Sequence, residues 1–169
     1  YRVPIDGGSV EKIGQMPGTH RAVFSPDFRH AADIISSDRS PPDLYLTSLA
    51  ERDTEHRITN SPLDEFPTYA WAETRYPTFE SHLDGGELFA RVTLPPNFDE
   101  NRRYPMIVGS VYSDSVRRQW GGRTSHPTWG LDQILASRGY VILNVNIAGS
   151  WGHGKEHRRR LVKGLYGNI

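Results

Sequence analysis

A serine flanked by glycines near the end of the sequence is the first candidate for chemistry. Ala148–Gly152 reads A-G-S-W-G, a variant of the G-x-S-x-G turn that carries the nucleophile of many hydrolases, and it follows a strand-like segment. Such a hydrolase needs an acid and a histidine later in the chain. Glu156 is the only acid after Ser150, and His153 and His157 are too close in sequence to arrive from a separate loop. We therefore interpret Ser150 as a residue of a Gly-rich turn and not as the nucleophile.

The two histidines raise a second chemical hypothesis, a metal site. His153 and His157 have the i, i+4 spacing that can bind a metal ion on one face of a helix. However, neither a Glu-x-x-His pattern nor a third ligand accompanies them, and Arg158–Arg160 crowd the position. A short charge run is usually a solvated face, so we predict a basic surface here. We expect no metal and no cofactor.

The elements that must position these residues change in character along the chain. The first half predicts short strands with frequent turns, which favours a sandwich or a propeller blade over a βαβ unit. The predicted strands are Tyr1–Ile5, Val10–Ile13, Arg21–Ser25, Ala31–Ser36 and Leu44–Thr47. A blade needs about 40–45 residues, so the chain supplies about one and we expect it to be a piece of a longer protein. Residues 50–78 are polar and proline-containing and predict a connection, and Phe79–Leu94 predicts a hairpin that turns at Asp84–Gly86.

The last third predicts the start of a parallel sheet. Met106–Val108 and Val141–Leu143 are continuous apolar runs, typical of strands covered on both faces. Between them, Thr128–Ser137 has helical apolar spacing and Gly139 is a suitable helix stop. A strand, a helix and a strand in this order predict a βαβ unit. A further helix or loop is expected over His153–Val162.

Composition excludes several classes of function. Twenty basic and twenty acidic residues cancel, so there is no electrostatic reason to expect a nucleic-acid partner. Cysteine is absent, which excludes disulfides and cysteine-ligated metals but does not identify the compartment. No apolar run approaches about 18 residues, so no membrane span is expected in this segment.

The order of these features resembles the prolyl oligopeptidase-type (S9) serine peptidases, in particular their dipeptidyl-peptidase branch. Phe24–Asp27 (F-S-P-D) matches a turn in the last propeller blade of that family. Leu94–Asp99 (L-P-P-N-F-D) and Arg103–Val108 (R-Y-P-M-I-V) match the segments that enter its hydrolase domain. The resemblance implies a mixed fold, in which the end of a β-propeller precedes the beginning of an α/β-hydrolase domain with an incomplete parallel sheet. It implies propeller residues 1–60, a linker at 61–78 and hydrolase residues 79–169.

The resemblance also assigns a role to Tyr112. In the family, a tyrosine at this point donates its hydroxyl to the oxyanion of the tetrahedral intermediate, which makes Tyr112 the candidate catalytic residue of the chain. Two departures stand against full agreement. Ser113–Ser115 replace the usual glycine-proline turn, and Asn146 and Ala148 replace the acid and the arginine of a D-x-R-G turn.

By resemblance, the longer protein is a serine-type peptidase that cleaves short peptides, with a serine, histidine and aspartate triad beyond Ile169. The chain by itself is then expected to be inactive, and a homo-oligomer of the longer protein is compatible with the family. Two alternatives stay open. One is a catalytically inactive relative that binds proteins, which the changes at Asn146 and Ala148 favour. The other is a self-contained β-sandwich binding module.

Overall fold

The computed structural model describes residues 1–50, 54–109, 116–121 and 128–164. The chain divides into two compact units, which are described separately. The first contains Tyr1–Phe66 and Arg118–Trp120, and the second contains Pro67–Arg117 and Gly121–Ile169. Phe66–Thr68 form a 3₁₀ turn.

The first unit contains a four-stranded antiparallel sheet in sequential order. Its strands are β1 (Thr19–Phe24), β2 (His30–Ser37), β3 (Ser40–Ser48) and β4 (Glu55–Arg57). The turn between β1 and β2 is closed by Ser25, whose hydroxyl donates to Asp27 Oδ1 at 2.6 Å, while Phe28 adopts a positive φ of 55°. The three predicted strands that correspond to β1, β2 and β3 are confirmed.

Two predictions for this unit are wrong. The predicted hairpin of Tyr1–Ile5 with Val10–Ile13 is reduced to one isolated bridge between Arg2 and Glu11. The side chains of Tyr1, Val3, Ile5 and Val10 are exposed, so the alternating pattern has no hydrophobic core to pack against. Pro4 also lacks the N–H that a strand ladder needs. The second error is β4, which lies within the stretch interpreted as a connection.

A partly buried pair of ionisable side chains joins the first two strands of this unit. His20 Nδ1 lies 2.7 Å from Asp33 Oδ2, and its Nε2 lies 2.9 Å from the Met16 carbonyl oxygen. Burial by itself lowers the pKa of His20, but the hydrogen bonds to Asp33 and Met16 and the charges of Asp33 and Glu55 together raise it above its ordinary value. The pair therefore favours a protonated histidine in the folded state.

The two faces of this sheet differ in exposure. Ala31, Asp33 and Ile35 are buried on one face, whereas three apolar residues of the opposite face are exposed. Those exposed residues are Val23, Ile34 and Leu46. Because side chains alternate along each strand, one face of the sheet packs against the unit's own chain and the opposite face stays exposed.

The second unit contains a mixed sheet and two helices. Its elements are β5 (Glu73–Arg75), β6 (Thr78–Glu80), β7 (Glu87–Leu94), β8 (Met106–Val108), α1 (Thr128–Ser137), β9 (Val141–Asn146) and α2 (Gly154–Gly164). The strand order is β5-β7-β9-β8, and β6 also pairs with β7. The predicted hairpin is β6 with β7, closed by the Gly86 carbonyl, which accepts from the Ser81 N–H at 2.9 Å. β5 lies inside the predicted connection and pairs antiparallel with β7.

The predicted βαβ unit is confirmed. β8 and β9 pair in parallel from Met106 with Val141 to Val108 with Leu143, and α1 has the predicted bounds. Gly139, at a φ of 88°, follows the helix as expected. The small core lies between α1 and the sheet, and its members are Ala72, Leu135, Ala136 and Ile142. β8 is an edge strand whose Met106 and Val108 side chains are exposed in this chain, although the sequence suggested cover on both faces.

Neither helix that the structure describes is long and apolar enough to cross a membrane.

Candidate functional site

The carboxyl ends of β8 and β9 lie at the same edge of the sheet because the two strands are parallel. The segments that leave this edge begin at Gly109 and at Ile147. In α/β sheets, ligands and reacting groups collect outside the carboxyl ends of the strands. We therefore take this edge as the candidate functional site.

Two asparagines of β9 point into the protein at this edge. Asn144 and Asn146 alternate with half-buried residues and are each 1% exposed. Gly109 approaches Asn144 so closely that a methyl group on its Cα would lie 2.7 Å from Asn144 Oδ1. A side chain at this position would therefore force the buried Asn144 amide to shift.

Asn146 connects the two segments that leave the edge. Its Oδ1 accepts the Val116 backbone N–H at 3.0 Å, and its Nδ2 lies 2.8 Å from His153 Nε2. Val116 belongs to the chain after β8, and His153 belongs to the turn after β9. The buried Asn146 side chain therefore contacts both the segment after β8 and the turn after β9.

His153 and His157 do not form the solvated surface that the sequence predicted. The His153 ring stacks on Phe89 of β7 at a centroid distance of 3.8 Å and an interplanar angle of 8°. His157 is only 8% exposed, and its Nε2 lies 3.3 Å from the Ile147 carbonyl oxygen. The turn after β9 folds the start of α2 back over β7, which a linear pattern does not reveal. Among the described residues, no group of three metal-ligating side chains exists.

Ser150 lies in this turn with its side chain directed inward. It is fully buried, and its hydroxyl donates to the Ile147 carbonyl at 2.6 Å. Gly149 and Gly152 adopt positive φ angles of 89° and 87°, which the turn requires. In this conformation the Ser150 oxygen is not accessible to a substrate.

Arg160 fastens α2 to the turn between β6 and β7. Its guanidinium makes a forked pair with Asp84, with both nitrogen–oxygen distances 2.6 Å, and Nη1 donates to the Glu87 carbonyl at 3.0 Å. The hydrogen bonds from Arg160 and from the Gly86 N–H hold the pKa of Asp84 far below its usual range. Arg158 instead stacks over the Trp151 ring at 3.8 Å. The expectation of a solvated charge run is thus wrong for Arg160.

A buried ionic cluster beneath the edge was missed by sequence reasoning. Arg91 Nη2 lies 3.1 Å from Asp132 Oδ2, and Asn144 Nδ2 donates to the same oxygen at 3.2 Å. Arg91 and Asp132 are each 4% exposed, and Arg91 Nε and Nη1 have no partner among the described residues. The only sequence signals were the charged Arg91 at an inward position of β7 and the charged Asp132 on the apolar helix α1.

Tyr112, the candidate oxyanion donor, lies outside the described residues, as do Ser113–Ser115. Its assignment stays a prediction.

Comparison with known proteins finds peptidases that resemble nearly the whole of this chain. No protein-family model matches the chain. Dipeptidyl-peptidase 5 of Porphyromonas gingivalis is 33% identical over 180 residues, which cover 99% of this chain and 23% of that protein. The structure of Pyrococcus horikoshii acylaminoacyl peptidase superposes with a TM-score of 0.65 at 23% identity, over 90% of this chain and 23% of its own.

A third comparison agrees with these two. Porphyromonas gingivalis dipeptidyl peptidase 4 superposes with a TM-score of 0.64 at 23% identity, over 88% of this chain and 21% of its own. This chain therefore spans about a quarter of the length of the relatives that it matches. The sequence relative and the shared fold agree, and over nearly its whole length this chain is similar to the prolyl oligopeptidase-type (S9) serine peptidases.

Proposed function

We propose that this chain is part of a serine peptidase that hydrolyses short peptides through a serine, a histidine and an aspartate located beyond Ile169. The observation that carries the proposal is the parallel pairing of β8 with β9, together with the convergence of their following segments on Asn146. This is the edge at which an α/β-hydrolase sheet assembles its reacting groups. The 33% identity to dipeptidyl-peptidase 5 supports a peptidase chemistry.

Tyr112 is proposed as an oxyanion donor. It lies in the chain between Val108, the last residue of β8, and Val116, whose N–H is held by Asn146. A hydroxyl positioned where negative charge develops stabilises the transition state more than the ground state. Removing such a donor costs about 10²–10³ in rate.

The domain assignment is part of the same proposal. We assign residues 1–60 to the last propeller blade, 61–78 to a linker and 79–169 to the start of the hydrolase domain. The four-stranded antiparallel sheet of the first unit, with an open apolar face at Ile34 and its neighbours, supports a blade that stacks against another. The separation of this sheet from a mixed sheet in a second unit does not fit a single β-sandwich module.

A second candidate function is binding without catalysis. Asn146 and Ala148 stand where the family usually has an acid and an arginine, and the buried Ser150 cannot replace a missing nucleophile. An inactive relative would retain the fold and bind peptides or proteins at the same edge.

Labelling with a fluorophosphonate probe distinguishes the two. We expect the longer protein to be acylated at a serine outside residues 1–169, and the 169-residue chain to remain unlabelled. Ser150→Ala is the matched control and should leave the labelling unchanged. Tyr112→Phe should lower kcat/KM for a dipeptide amide substrate by about 10²–10³. A folded longer protein that is never acylated would contradict the peptidase and support the binding protein.

A further inference from the structure

We propose that Asn146 and His153 are positioning residues that form a pH-sensitive bridge between the two segments leaving the carboxyl edge of the sheet. The bridge is intact only while His153 is neutral. This inference deepens the proposed function and rests on it only for the activity readout.

The orientation of the Asn146 amide determines which group donates. The Val116 N–H can only donate, so the atom 3.0 Å from it must be the carbonyl oxygen Oδ1. The NH₂ group of Asn146 then faces His153 Nε2 at 2.8 Å and donates to it. An accepting Nε2 has no proton, and the imidazole is neutral with its proton on Nδ1.

Protonation of His153 turns the acceptor into a donor. An N–H at Nε2 would then oppose the N–H of the Asn146 amide across the same short distance. Turning the amide by half a rotation would restore this bond but would present NH₂ to the Val116 N–H. One of the two bonds is lost in either orientation, so protonation uncouples the turn after β9 from the segment after β8.

Among the described residues, His157 and Arg160 are the titratable and charged groups nearest to His153 on the side of α2. His157 lies edge-on with a centroid distance of 5.1 Å, and Arg160 Nη1 lies 3.3 Å from His157 Nδ1. The charge of Arg160 is offset in part by Asp84, with which it pairs at 2.6 Å.

Phe89 packs against His153 from β7 and carries no titratable group. It can retain the stack in both states, because a cation is also attracted to an aromatic face. The hydrogen bond, and not the packing, is therefore what changes with pH.

The bridge is tested by hydrogen–deuterium exchange of the Val116 amide in the full-length protein, corrected for intrinsic exchange. As the pH falls from about 8 to about 5, through the range in which histidine titrates, we expect Val116 to lose about tenfold in protection. The Gly109 amide, which donates to the Leu143 carbonyl at 2.8 Å within the sheet, is the internal control and should show no such step.

Two variants give opposite predictions. His153→Gln supplies an acceptor that does not titrate, and the step at Val116 should disappear. Asn146→Asp offers two acceptor oxygens, one for Val116 and one for a protonated His153, so protection should increase toward low pH. If the peptidase is active, His153→Gln should also retain more of its kcat/KM than the wild type at low pH.

The outcomes separate the two proposals. A wild-type protein without the step at Val116, or variants that keep the wild-type step, would overturn the bridge whether or not the protein is a peptidase. The step and its reversal in a protein without peptidase activity would support the bridge and contradict the proposed function.

Discussion

Replacing Asp132 by alanine should be among the most destabilising changes in the second unit. The substitution leaves the Arg91 guanidinium buried, with Nη2 deprived of its partner and with Nε and Nη1 already without one among the described residues. The side chains of Arg91 and Asp132 are only 5% and 6% exposed, so water does not replace the lost carboxylate. Removing one partner of such a pair costs about 3–5 kcal/mol.

The reverse substitution should cost less. In Arg91→Met the carboxyl group of Asp132 keeps the hydrogen bond from Asn144 at 3.2 Å, and it can become neutral by binding a proton. Arginine cannot be deprotonated in proteins, so a buried Arg91 guanidinium cannot become neutral in the same way. We expect a loss of about 1–3 kcal/mol for Arg91→Met. The double variant Arg91→Met/Asp132→Leu removes both charges. Its free energy of unfolding should lie within about 1 kcal/mol of the wild-type value, or exceed it.

The assay is equilibrium unfolding in urea, followed by the fluorescence of tryptophans near α1. Trp129 on α1 packs 6.1 Å from Trp71, so the signal reports on the element that carries Asp132. The matched control is Arg75→Ala, because Arg75 pairs with Glu73 and Glu100 at the exposed surface and its loss should change the midpoint little. If Asp132→Ala costs less than Arg91→Met, or no more than the exposed control, the buried-charge reasoning is wrong.

Three further predictions concern pH and backbone geometry. Asp84→Asn should lower stability at neutral pH, and its difference from the wild type should begin to shrink as the pH falls to about 3.9 and should be lost only as the pH falls further, through the pKa of folded Asp84, which Arg160 depresses. The pKa of His20 is raised on folding, so its contribution is present at low pH and is lost as the pH rises; His20→Asn should therefore reduce stability near pH 5 more than near pH 8 in urea titrations. Gly18→Ala should cost more than about 1 kcal/mol in the same assay, because Gly18 has a φ of 144° and a methyl group there would overlap the Ser36 carbonyl oxygen. A midpoint unchanged by Gly18→Ala, or pH dependences of the opposite sign, would contradict these interpretations.

Local patterns were sufficient for several elements of the second unit. The bounds of α1, the hairpin from Thr78 to Leu94 and the parallel pair β8 and β9 follow from periodicity, turn glycines and continuous apolar runs. These signals depend on neighbours within a few residues, so a single sequence contains them. Alternation misled at Tyr1–Ile5, because a pattern predicts a strand only if one face finds a core to cover.

The polar strand β4 shows the opposite case. Glu55–Arg57 has no apolar alternation, yet it forms a strand because its side chains are bound by distant partners. Glu55 accepts the backbone N–H groups of Gln15 and Met16 at 3.1 and 3.2 Å, and Arg57 pairs with Asp43. Such long-range hydrogen bonds leave no trace in local composition.

The sequence by itself predicted the resemblance to the S9 peptidases, the strand, helix and strand of the βαβ unit, and the position of a Gly-rich turn after β9. Only the tertiary structure decided that Asn146 bridges to Val116 and His153, that Ser150 is turned inward and that Arg91 meets Asp132. The physical reason is the difference in range. Strand and helix propensities act between adjacent residues, whereas the pairing of a buried polar group is fixed by whichever donor or acceptor the fold brings within 3 Å or so of it.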